Sequence, residues 1–239
     1  MATDYGKIVE DLLAFYDFRD KTVVAVGAGG GQLIEYGRPA RKVIAVDNDA
    51  LALGKLREKL KAAALEDKFT PVLCDFNRAE MTGDAVLFEF CLHELPDAAA
   101  ALRHAKDLAP DVVIFDHGPG SDWAFFTSEE DKVRMSWRAV EDYPIRKRQS
   151  FRAIHAFKTY EELFLKVKSQ GDTSLRRIEK FNPLRGIPRT LVRGGIANSP
   201  LRGQALQRLQ RVDPTDVSPW SFRNETDIAI PMIYEMTLI

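Results

Sequence analysis

The chain has 239 residues, a length that suits one α/β domain with a cap and lies far beyond a small disulfide-stapled scaffold. With 45% apolar and 29% charged residues it is not a disordered chain, and 34 basic against 35 acidic residues, a net charge of -1, exclude a protein that coats nucleic acid over its whole surface. Two cysteines, Cys74 and Cys91, exclude a disulfide framework and a four-cysteine zinc site; both are expected as small buried thiols in strands.

Residues 7–16 carry Ile8, Leu12 and Leu13 near helical spacing and are predicted as an amphipathic helix. Residues 21–27 form a buried strand that ends in a glycine-rich turn, and 42–47 form a second strand. Asp49 is placed to cap a helix running to about Ala64. Three more strands are predicted over 69–74, 84–90 and 111–116, with a helix over 96–108 whose proline falls in the first turn. Short apolar runs alternating with helical patterns indicate a parallel sheet covered by helices. Beyond His117-Gly-Pro-Gly120 the pattern changes, and 127–170 is predicted mostly helical, with capping-box starts at Thr127–Glu130 and Thr159–Glu162. Residues 173–181 alternate like a strand, 201–212 suggest a short basic helix, and 227–239 form a last strand. No linker divides the chain. One domain is expected, with 1–18 as a lid helix, 19–120 as the ligand-binding half, 121–170 as a helical cap and 171–239 as closing strands plus a basic segment. No run reaches the roughly 20 apolar residues of a membrane span. The amino terminus has no apolar signal core, so a cytoplasmic location is the default expectation.

The segment Val23-Val-Ala-Val-Gly27-Ala-Gly29-Gly-Gly31 ends a strand in a turn nearly devoid of side chains, where backbone can approach a ligand closely. Asp47 closes the next strand 20 residues past Gly27, where a carboxylate can accept from both hydroxyls of a ribose. Asp75 closes the third strand and is placed to meet an adenine amino group, with the Phe76 ring on the base. The dinucleotide fingerprint fails, because its last glycine would fall at Gln32. Glu89 is a lone carboxylate in an apolar strand, costly there unless paired. His93 follows the fourth strand at the carboxyl edge of the sheet, as an acceptor-side base or orienter, and Asp116 and His117 end the fifth strand at the same edge. His104 and His155 read as helix-surface residues, and no metal ligand set is read from the spacing.

In this order of segments the sequence resembles the class I S-adenosylmethionine-dependent methyltransferases, small-molecule branch. The turn at Gly27–Gly31 is similar to their first motif, Val43-Ile-Ala-Val-Asp47 to their ribose site, Val72-Leu-Cys-Asp75-Phe76 to their adenine site, and the run from Phe88 through His93 to Asp97 to their fourth-strand segment. The resemblance covers roughly 20–120 and implies a doubly wound, mostly parallel seven-stranded sheet of order 3-2-1-4-5-7-6 with an antiparallel last strand and a helical cap after strand five. It implies S-adenosylmethionine held by Gly27, Gly29, Gly31, Asp47, Asn48, Asp75, Phe76, Glu89 and Phe90, with His93 catalytic. The family usually carries an acid two residues before Gly27, where this chain has Ala25; Glu89 is placed to hold the cofactor's ammonium instead.

The expected acceptor is a small, anionic molecule. Aromatic residues at 123, 125, 126, 137, 143, 151 and 157 would wall its pocket, and Arg146, Lys147, Arg148 and Arg152 would clamp its acid. Two alternatives stand: an RNA methyltransferase using the basic stretch 174–212, and a non-catalytic cofactor-binding or interaction protein, suggested by Ala25. A nicotinamide reductase is weakened by Gln32, and no membrane partner is expected.

Overall fold

The computed structural model describes residues 2–182 and 228–239. The apolar runs become strands that are buried on both faces, as a parallel sheet between helix layers requires. In chain order the elements are β1 (Ala2–Thr3), α1 (Tyr5–Phe15), β2 (Thr22–Val26), β3 (Lys42–Asp47), α2 (Ala50–Ala63), β4 (Phe69–Leu73), β5 (Ala85–Glu89), α3 (Ala98–Leu108) and β6 (Asp111–His117). There follow α4 (Asp122–Thr127), α5 (Glu130–Glu141), β7 (Lys147–Phe157), α6 (Tyr160–Val167), α7 (Asp172–Ile178) and β8 (Ile228–Leu238). The sheet order is β1-β7-β8-β6-β5-β2-β3-β4. Strands β2 to β6 are mutually parallel, and β8 runs antiparallel to both β6 and β7. With the two-residue β1 set aside, this is the expected 3-2-1-4-5-7-6 order with an antiparallel last strand.

Strand alternation divides the core in two. Val23, Ala25, Val43, Ala45, Leu87, Val113 and Phe115 face the side covered by α1 and α2, and Val24, Val26, Val46, Val86, Phe88 and Ile114 face α3 and α5. Helix α1 packs Ile8 and Leu12 into the first of these layers, and Asp11 accepts from the Tyr234 hydroxyl at 2.6 Å. Helix α2 begins on Asp49, whose carboxylate accepts from Leu51 N and Ala52 N, and ends with Ala64 in the left-handed conformation.

The second half departs from expectation in three segments. Residues 147–157, expected as helix, form β7, paired along its whole length with β8 from Lys147↔Leu238 to Phe157↔Ile228. The helical insert after β6 is therefore α4 and α5 alone. Residues 173–181, expected as a strand, form α7 and a 3-10 turn; Leu175, Ile178 and Phe181 recur every three residues, and Ile178 is fully buried. The capping box at Thr127–Glu130 does not form: α4 ends at Thr127, and its hydroxyl bonds Glu129 instead. The box at Thr159 does cap α6, with Glu162 N donating to Thr159 Oγ1 at 3.2 Å. His155 lies buried on β7 against Trp123, and His104 is half-buried with Nε2 2.8 Å from Ala79 O, so neither is a helix-surface residue. Cys74 and Cys91 are half-buried thiols just past strand ends rather than within strands. The predicted helix at 201–212 lies outside the described residues.

Candidate active site

Strand order reverses between β2 and β5, and the carboxyl ends of strands at such a switch point are the usual ligand position in open α/β sheets. The glycine turn lies at this point. Gly27 has φ +70°, and a Cβ there would lie 2.5 Å from the Cys91 Cβ, so only glycine fits where β2 leaves the sheet beside the β5 loop. Gly29 N donates to Asp47 Oδ2 at 2.8 Å, and Asp49 N donates to Asp47 Oδ1 at 2.9 Å. The carboxylate of Asp47 is thus fixed against the turn, and each oxygen keeps a further acceptor site. Asn48 beside it is exposed.

Glu89 ends β5 on the same face as Ala25. Ala25 pairs with Leu87 across the β2–β5 ladder, and Glu89 stands two residues further on. The Tyr36 hydroxyl donates to Glu89 Oε1 at 2.5 Å, so the lone carboxylate is paired with a phenol. Burial lifts the Glu89 carboxyl to about 7 against the lowering effect of the Tyr36 hydrogen bond, with the charge of Asp47 adding to the rise. Phe90, next in the chain, adopts φ +50°, an uncommon conformation for an aromatic residue, with its ring against Phe115 and His117.

Asp75 is exposed and caps the start of a 3-10 turn, its Oδ1 accepting from Asn77 N and Nδ2. Phe76 points the other way: its ring is buried edge-on against Phe88 and near His104, which makes it core packing beneath Asp75.

At the ends of β5 and β6 lies a second group. His93 Nδ1–H donates to Asp116 Oδ1 at 2.6 Å, and the His93 backbone N donates to Asp116 Oδ2 at 2.9 Å. Asp116 is fully buried and also accepts from His117 N at 2.8 Å. The pair fixes the imidazole with Nε2 facing away from Asp116, 3.8 Å from Glu94 Oε1 and 3.9 Å from Glu129 Oε2. Burial acts to lower the His93 pKa, but the hydrogen bond and charge of Asp116, together with Glu129 and Glu94, raise it overall. His117 is pushed down to about 3 by burial and is neutral; its carbonyl accepts from Trp137 Nε1 at 2.6 Å. Sequence spacing singled out His93 and Asp116 but not Tyr36 or Glu129, since Tyr36 lies in an irregular turn and Glu129 sat inside an apparent capping box.

Of the proposed acid clamp, Arg146 bonds Asp111 at the amino end of β6 and Lys147 bonds the Phe15 carbonyl, both away from this edge, whereas Arg148 pairs with Glu235, which is in register with Asp116, and Arg152 pairs in register with Ile233 on β8. Of the expected pocket wall, Trp123, Phe126, Trp137 and Phe157 are buried core residues, whereas Phe125 is exposed. In the basic stretch, Arg177 pairs with Glu130 at 2.7 Å and Lys180 lies over the Phe126 ring, while 183–212 lie outside the described residues. Among the described residues no helix is long and apolar enough to cross a membrane.

No protein-family model and no curated protein sequence matches the chain. Solved structures do. A candidate methyltransferase of Bacillus halodurans is similar over 98% of this chain and 97% of its own, at 14% identity and a TM-score of 0.58. The YcgJ protein of Bacillus subtilis is similar over 98% and 96%, at 11% identity and a TM-score of 0.57. The precorrin 8w decarboxylase of Methanobacterium thermoautotrophicum is similar over 64% and 79%, at 16% identity and a TM-score of 0.50. The fold is the Rossmann-like fold of class I methyltransferases.

Proposed function

We propose that the chain is an S-adenosylmethionine-dependent methyltransferase acting on a small molecule. The observation that carries this reading is that, at the carboxyl ends of β2 and β3, a glycine-rich turn and a fixed carboxylate stand together. A Cβ on Gly27 would collide with Cys91, so the turn tolerates no side chain at that position, and Asp47 is held against the turn by Gly29 N. These residues fit a nucleoside: Asp47 would accept from the ribose hydroxyls, Asp75 and Asn48 would stand at the base end, and Glu89 would take the ammonium that an acid at Ala25 would otherwise hold. When bound, the cofactor supplies an electrophilic methyl group on a sulfonium. The chain's share is then placement and exclusion of water, since the reactive charge arrives with the cofactor. His93, oriented by Asp116, stands on the acceptor side.

Calorimetric titration with S-adenosylmethionine tests this. One saturable site is expected, and Asp47→Ala should weaken it about tenfold or more, since each charge-assisted hydrogen bond is worth roughly 1.5–3 kcal/mol. Unchanged affinity in that variant removes Asp47 from the site. Binding of a nicotinamide cofactor instead would indicate a reductase. Cofactor binding with no turnover on any acceptor would indicate an interaction protein, and steep salt dependence of RNA binding would favour the RNA reading.

A further inference from the structure

We propose that His93, Glu94 and Glu129 form a binding site for a divalent first-row transition cation, which would take an ionisable oxygen of the acceptor. The donors come from two places, a 3-10 turn after β5 (Leu92–Glu94) and the two-residue link between α4 and α5. His93 Nε2, one oxygen of Glu94 and one of Glu129 all lie within 4.8 Å of one another. The His93 side chain is 2% exposed, yet Nε2 has no hydrogen-bond partner, and it points between the two carboxylates. A buried imidazole nitrogen left in this way ordinarily costs free energy, which a ligand there would recover.

The surroundings are those of a metal ligand set. Asp116 accepts from the far ring nitrogen, the carboxylate–histidine arrangement that fixes the tautomer and ring orientation of metal-binding histidines. Glu129 is held in turn by the Thr127 hydroxyl at 2.6 Å. Three carboxylates surround one imidazole, and among the described residues no lysine or arginine forms an ion pair with Glu94 or Glu129. Metal–ligand distances of about 2.0–2.2 Å require the donors to draw inward. The Glu94 side chain, 59% exposed, has room to do so. An imidazole in the set favours zinc, iron or nickel over magnesium or calcium. Three protein donors leave coordination positions for water or substrate. Cys91, whose side chain closes on Gly27, stands two residues before His93, so the cluster adjoins the glycine turn. The cation would thus supply anion recognition that Arg146 and Lys147, bonded away from this edge, do not.

The acceptor role rests on the methyltransferase reading; cation binding itself does not. Chelator-treated full-length chain, without cofactor, is titrated calorimetrically with zinc chloride and separately with magnesium chloride. One equivalent of zinc is expected to bind at about micromolar affinity or tighter, and magnesium at least about tenfold more weakly. Glu129→Gln and Glu94→Gln should each weaken zinc at least about tenfold. Because Glu94 is exposed, its variant decides the matter should Glu129→Gln fail to fold. Absence of a saturable zinc site, zinc affinity unchanged in Glu94→Gln, or equal affinity for magnesium overturns the proposal. S-adenosylmethionine binding is measured separately in the chelated chain: its loss would end the methyltransferase reading and leave a zinc site standing.

Discussion

Glu89 links folding and ligand binding in opposite senses. Its folded-state pKa, raised by burial to about 7, lies above the ordinary value of 4.5. A carboxyl raised on folding stabilises the chain fully below its unfolded pKa and loses that contribution as pH climbs through the folded value. The ligand-free chain should therefore lose thermal stability between pH 5 and 8, and Glu89→Gln should flatten that slope. An ammonium needs the ionised carboxylate, so cofactor affinity should rise over the same interval in the wild type and lose that rise in the variant. Parallel pH dependence of affinity in both proteins would show that Glu89 does not face the ammonium. Gly27 makes a steric prediction. A Cβ 2.5 Å from the Cys91 Cβ, on a left-handed backbone, should make Gly27→Ala less stable by about 1–3 kcal/mol in chemical denaturation. Wild-type stability would mean that the turn and the β5 loop part more readily than their packing indicates.

The elements of the first half follow from local pattern. Asp47 and Asp75 stand at strand ends because apolar runs stop there, and Asp49 caps α2 through its own nearest backbone N–H groups. The second half depends on distant partners. The first residues of β7, Lys147-Arg-Gln-Ser, are exposed and polar, and their strand state comes from pairing with β8 about 90 residues away, which no local window registers. The site divides along the same line. The glycine turn and Asp47 are legible as spacing, whereas Tyr36 on Glu89 and Glu129 beside His93 meet only after the chain has folded. Burial then separates essential from incidental apolar residues. Phe157 of β7 is fully buried, stacked on Trp123, and Phe157→Ala should cost about 3–5 kcal/mol. Leu51 of α2 is 78% exposed, and Leu51→Ala should stay within about 0.5 kcal/mol. Equal losses in urea unfolding would place Phe157 outside the core.

Across the whole molecule, the sheet order brings the glycine turn, Asp47, Glu89 and the His93–Asp116 pair to one carboxyl edge, although they are scattered from residue 27 to residue 116. Arg146, bound to Asp111, marks the opposite edge, so the two ends of the sheet carry different chemistry. The measurement that bears most directly on this arrangement is a crystal structure of the chain with S-adenosylhomocysteine. Its ribose hydroxyls are expected on Asp47, its amino group within hydrogen-bonding distance of Glu89, and its sulfur turned toward His93. A nucleoside bound away from the β2–β5 switch point, or bound there with Asp47 and Glu89 both remote from it, would contradict the assignment of this edge as the cofactor site.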